Sequence, residues 1–89
     1  MNILFSKAAW QQYLHWQSED EKIVIRINTL IKEIQRDPFK GIGKPEPLRQ
    51  NYSGFWSRRI TKEHRLVYRI VEDSKKVKRI EVLTCRFHY

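Results

Sequence analysis

Ile23, Ile27, Leu30, Ile31 and Ile34 recur at i, i+4, i+7, i+8 and i+11, a spacing that lays one apolar stripe along a helix. Ser18-Glu19-Asp20-Glu21 precedes the stripe as a capping-box pattern, with three carboxylates near the positive end of the helix dipole. Asp37-Pro38 ends it. Upstream, Trp10, Tyr13, Leu14 and Gln17 at i, i+3, i+4 and i+7 predict a first helix, with Ser6 placed to cap it and Trp10 expected in the core. Met1 to Phe5 is short and apolar-leaning, as an edge or terminal strand would be. Further strands are expected at 55–61, 65–71 and 77 to about 87, joined by the polar turns Lys62-Glu63-His64 and Glu72-Asp73-Ser74-Lys75-Lys76. Connections this short imply antiparallel hairpins. The pattern therefore predicts a single α+β domain over residues 1–89, with two N-terminal helices packed on one face of a small, mainly antiparallel, four- to five-stranded sheet.

Between the helices and the meander lies PFKGIGKPEPLRQNYSG, which holds every proline and every glycine of the chain. It is expected to be a loop, longer than most connections, and long ordered loops often carry function. Lys44, Glu46 and Arg49 sit on it, with Pro45 and Pro47 restricting the backbone around Glu46. Side-chain alternation along the 65–71 strand puts Leu66, Tyr68 and Ile70 on one side and Arg65, Val67, Arg69 and Val71 on the other. Arg65 is then expected to face away from the helices. By the same parity Arg59 opposes Arg58 and Ile60, and His88 opposes Leu83, Cys85 and Phe87, although Ile80 and Val82 share parity with His88. Arg59, Arg65 and His88 are thus expected to meet on an open sheet face beneath the loop.

At 89 residues and 40% hydrophobic, the chain has material for one modest core without disulfides. Its single cysteine, Cys85, has no partner in the chain, and no Cys/His cluster has zinc spacing, so a reducing cytoplasm is the expected setting. No apolar run approaches the roughly 20 residues of a membrane helix, and MNILFSK lacks the features of a signal peptide, so no membrane association is expected. The formal net charge is +8. Residues 1–37 hold five basic and five acidic side chains, residues 38–54 three against one, and residues 55–89 ten against four. That asymmetry favours an anionic partner at the C-terminal half.

Cleaving RNA without a metal or cofactor requires a base for the 2′-hydroxyl proton, cations for the pentacoordinate phosphorus and an acid for the leaving oxygen. Glu46 is the natural base and His88 the natural acid. Arg65 and Arg59 present planar guanidinium groups suited to phosphate oxygens, Arg49 and Lys44 add positive charge, and Tyr89 offers a hydroxyl or a stacking ring. Each has a plainer reading alone: Glu46 as a solvated loop acid, the arginines as solvated strand charges, His88 as an exposed terminal residue. Trp56 divides between core packing and base stacking, Cys85 reads as a small core residue, and His15 and His64 have no assignment.

Three strings decide between these readings: PFKGIGKPEPL at 38–48, SGFWSRRITKEHRLVYRI at 53–70 and CRFHY at 85–89. Together they resemble YoeB-type toxins of the RelE/ParE superfamily, a resemblance that runs over essentially the whole chain. It implies a compact RelE-like, microbial-ribonuclease-like fold and ribosome-dependent cleavage of messenger RNA in the A site. It also implies a cognate YefM-like antitoxin, and it leaves open a homodimer. The family's catalytic glutamate falls on Glu46, its phosphate-binding arginine on Arg65, a supporting arginine on Arg59, and its terminal His-Tyr pair on His88 and Tyr89. The chain departs from the family at Arg49, where lysine is usual, at Phe87, where tyrosine is common, and in the longer, more basic stretch at 75–81. Two other functions fit the same fold: a ParE-like poison of DNA gyrase, and a non-catalytic RNA-binding module using Trp56, Arg58 and Arg59.

Overall fold

The amphipathic period of residues 23–34 builds what it predicts. A computed structural model of the chain describes residues 1–87. Strand β1 (Asn2–Phe5) leads into helices α1 (Lys7–Glu19) and α2 (Glu21–Arg36), followed by β2 (Glu46–Pro47), a 3-10 turn (Gln50–Tyr52), β3 (Trp56–Arg59), β4 (Arg65–Glu72) and β5 (Lys78–Thr84). The sheet order is β1-β5-β4-β3-β2, antiparallel throughout except for β1, which runs parallel to β5. Its five strands carry both helices on one face. All five apolar residues of the α2 stripe are buried there, against Ile60, Leu66, Tyr68, Ile80 and Val82.

Helix α1 lies about one residue round from the expected orientation. Its inward line is Ala9, Gln12, Tyr13 and Trp16, with Ala9 and Trp16 buried, whereas Trp10 is 48% exposed and Leu14 44%. A small residue and a polar one disguise that line in the sequence. Gln12 earns its place through a hydrogen bond, its Oε1 accepting from the Cys85 backbone N–H at 2.7 Å. Trp16 likewise donates from Nε1 to the Cys85 carbonyl at 3.0 Å. Trp10 instead stacks on Tyr13 at 5.9 Å and meets Phe5 edge-on.

Ser6 caps α1 as expected, accepting from the Ala9 N–H at 3.0 Å. The cap of α2 is Asp20, whose Oδ1 accepts from the Lys22 N–H; Ser18 lies within α1 and donates to the His15 carbonyl. Strands β3 and β5 are shorter than expected, while β4 runs as expected and one residue further, to Glu72. β3 ends at Arg59 because Ile60 and Thr61 turn to donate to the His64 carbonyl. β5 ends at Thr84, after a bulge at Leu83 that sets Val67 opposite Thr84 and Tyr68 opposite Val82. The bulge also resolves the broken alternation of the last strand. Ile80, Val82 and Cys85 are all buried, while Leu83, expected beside Cys85, lines a surface cleft with Leu4, Phe55, Arg69 and Glu81. Among the described residues no helix is long and apolar enough to cross a membrane.

Candidate functional site

Strand register decides which polar side chains share a face, because residues directly opposite one another in an antiparallel pair project to the same side. Arg59 faces Arg65 across β3 and β4, and Glu46 faces Ser57 across β2 and β3. Ser57 and Arg59 are two residues apart, so the glutamate row and the arginine row lie on one face, roughly 7 Å apart along the strand. Leu66 and Tyr68 occupy the opposite, helix-bearing side. Like charges in direct cross-strand contact repel. Among the described residues neither arginine forms an ion pair.

Both arginines are held by the backbone around them. Arg65 donates from Nη1 to the Thr61 carbonyl at 3.0 Å and more weakly to those of His64 and Lys62, so its guanidinium also closes the β3–β4 turn. The Arg59 N–H donates to the Gly43 carbonyl, and its own carbonyl accepts from Arg26 on α2. Gly43 has φ +83, and a Cβ there would stand 2.9 Å from Leu30 Cδ2 and 3.1 Å from Arg58 Cβ. Only glycine fits that corner without displacing its neighbours.

The loop carrying Glu46 is built on Arg58, which is fully buried. Its guanidinium donates from Nη2 to the Asp37 carbonyl at 2.6 Å and the Lys40 carbonyl at 2.9 Å, from Nη1 to Ile42 at 3.2 Å, and from Nε to the Tyr68 hydroxyl at 3.2 Å. The Tyr68 hydroxyl in turn donates to the Pro38 carbonyl at 2.6 Å. Burial pushes the Tyr68 pKa up, partly opposed by its hydrogen bond from Arg58. A buried cation is tolerable only with its donors satisfied, and these acceptors satisfy it while fixing the loop's first half. The second half becomes β2, a two-residue strand where a plain loop was expected.

The C-terminal segment arrives at the same end of the sheet. The Arg65 N–H donates to the Phe87 carbonyl, and the Phe87 N–H donates to His64 Nδ1, both at 2.8 Å. His88 and Tyr89, expected as acid and substrate contact, lie outside the described residues. Lys44 is exposed beside Gly43, with φ +51. Arg49 is exposed at the start of the 3-10 turn, and no described hydrogen bond ties it to the arginine pair.

The fold thus brings Glu46, Arg59 and Arg65 together and turns Arg58 inward. Arg58 and the half-buried Trp56, whose ring packs against Phe39 at 4.8 Å, both serve the core side. Two of the three groups invoked for a stacking RNA-binding module are therefore spoken for structurally. Sequence reasoning passed over His64, Gly43 and the buried role of Arg58, although parity with Leu66 and Tyr68 marks Arg58 as inward-facing. Cys85 is buried as expected, and burial pushes its thiol pKa up to about 12.

A family profile for the YoeB-like toxin of bacterial type II toxin-antitoxin systems matches residues 5–89. This chain belongs to that family. The YoeB-like identity extends to individual relatives: toxin YoeB of Escherichia coli K12 is 53% identical over 89 residues, covering all of both chains. A YoeB/ParE toxin structure from Agrobacterium tumefaciens superposes with a TM-score of 0.94 at 47% identity, again over the whole of both chains. Two Staphylococcus aureus structures, a YoeB dimer and a heterotetrameric YoeB–YefM complex, superpose with TM-scores of 0.88 and 0.85 at 46% and 44% identity, covering all of this chain and 98% of each of those. As a YoeB-like toxin, the chain is the toxin half of a toxin-antitoxin system. Among its described residues no group of three His, Cys, Asp or Glu side chains is placed to hold a metal ion.

Proposed function

We propose that this toxin is a metal-independent endoribonuclease that cuts messenger RNA in the ribosomal A site and so stops translation. The observation that carries this reading is the Arg59–Arg65 pair, two arginines directly opposite each other across β3 and β4, on the sheet face away from the helices and in the row next to Glu46. Glu46 accepts the 2′-hydroxyl proton as O2′ attacks phosphorus. Arg65 and Arg59 take the charge that builds on the phosphoryl oxygens, with Lys44, Arg49 and Tyr89 contacting the surrounding RNA. His88 protonates the departing O5′ as the P–O5′ bond breaks, leaving a 2′,3′-cyclic phosphate and a 5′-hydroxyl end. The chemistry uses no cofactor, because the arginines supply the charge a metal otherwise would.

The partners in this reading are the ribosome with its messenger and a YefM-like antitoxin, as in the staphylococcal complex, with a homodimer as a further assembly in the cytoplasm. The test is to translate a defined messenger with purified toxin, with and without ribosomes, in buffers whose magnesium is first chelated and then replaced by polyamine sufficient to keep ribosomes intact. Fragments bearing 5′-hydroxyl ends at A-site codons, formed only with ribosomes and without free magnesium, are expected. Trapped gyrase–DNA complexes with intact messenger would instead establish the ParE-like reading.

A further inference from the structure

The sheet stops holding the C-terminal segment at Thr84, the last residue of β5 in register with β4. Beyond it the chain is fastened by three side chains and one backbone bond from Arg65. Gln12 and Trp16 bind the two backbone groups of Cys85 from α1. At Phe87 the fastening is His64, from the β3–β4 turn, whose Nδ1 accepts the Phe87 N–H at 2.8 Å while the adjacent Arg65 N–H donates to the Phe87 carbonyl. Phe87 has φ +62, a left-handed conformation that a bulky residue keeps only where its surroundings impose it. Bonds on both its N–H and its carbonyl do so.

The His64 ring is itself oriented by packing. It meets Trp16 edge-on with centroids 4.8 Å apart and lies 5.7 Å from the Phe87 ring. Because Nδ1 accepts, it carries no proton, and the neutral tautomer has its hydrogen on Nε2. We infer that His64 is a positioning residue: its Nδ1 anchors the Phe87 amide and thereby fixes, one residue ahead of the proposed acid His88, the point from which the chain's last two residues start. This rests on the nuclease reading for its consequence, though not for the tether. His64 and Arg65 are neighbours in the chain, so one turn holds both the proposed phosphate-binding arginine and the Phe87 anchor.

Two substitutions separate the roles of the ring. His64→Phe keeps the packing on Trp16 and removes the acceptor; His64→Asn offers Oδ1 near the position of Nδ1. Amide hydrogen exchange at Phe87 and single-turnover cleavage on ribosomes are measured on the intact chain. His64→Phe is expected to lose protection at Phe87 and to lower kcat by about 10- to 100-fold with KM unchanged, the usual cost of a displaced catalytic group. His64→Asn is expected to restore both. Unaltered Phe87 protection in His64→Phe would overturn the tether, and equal impairment of the two variants would reduce His64 to a packing residue. If the wild-type chain cuts no RNA, the nuclease reading fails on its own, and the exchange comparison still decides the tether.

Discussion

Arg65 has a structural task that can be separated from the chemical one proposed for it. Its Nη1 closes the β3–β4 turn through the Thr61 carbonyl, while its place in β4 sets it opposite Arg59 on the face away from the helices. Replacing it with Ala should therefore cost about 1 kcal/mol of stability for the lost turn bonds, yet lower cleavage by about 10²- to 10³-fold. Melting curves beside cleavage rates check this; a near-normal rate in a folded variant would remove Arg65 from the site. On the same sheet face, Glu81 accepts from Arg69 at 2.8 Å and Arg79 at 2.7 Å. The Arg69 hydrogen bond, reinforced by Arg79, holds the Glu81 carboxyl below its ordinary range against the opposing effect of burial. A depressed folded-state pKa gives stability that is present above the unfolded value of about 4.3 and lost as pH falls through the folded one. Arg69 is half exposed, so solvent screening limits the effect to about 1 kcal/mol or less. Glu81→Gln should melt below wild type at pH 7, and the two curves should converge in acid.

At the scale of elements, the loop that carries Glu46 is an attachment to β3 rather than a free segment. Arg58 holds the carbonyls of Asp37, Lys40 and Ile42, and Gly43 binds the Arg59 N–H, before β2 adds Glu46 to the sheet edge. Arg58→Ala should strip these acceptors of their donor and lower stability by roughly 2–4 kcal/mol, or about 10–20 °C in melting temperature. Lysine lacks the forked donor geometry and should restore little of it. Gly43→Ala should cost about 1–3 kcal/mol, since it combines a strained φ with a Cβ against Leu30. Thermal unfolding of the three variants checks the order.

At the scale of the whole molecule, charge and tail point to the same end. The C-terminal half holds the positive excess, so association with an acidic antitoxin segment should weaken as salt rises; an affinity indifferent to salt would deny electrostatics a part in it. Deleting His88 and Tyr89 keeps the residues of the Phe87 tether and every described core residue in the chain. The shortened chain should melt near wild type and bind ribosomes through its arginines. Its cleavage should be slower by about 10²- to 10⁴-fold, the usual worth of a general acid. Full activity in that folded chain would refute His88 as the acid.

The amino-acid sequence by itself determined what local pattern can encode. The α2 stripe, the Ser6 cap, the hairpin order and the parity that sets Arg65 against Leu66 and Tyr68 all follow from periodicity and short-range sterics, and the three strings place the chain in its family. Tertiary structure decided the rest, and in each case the deciding partner is far off in the chain. α1 turns Gln12 inward for a backbone group 73 residues away, and Arg58 goes inside for carbonyls 16 to 21 residues upstream. His64 gains its role from an amide 23 residues on. A polar side chain pays to be buried unless a partner meets it, and no local pattern announces a partner that only folding brings within reach.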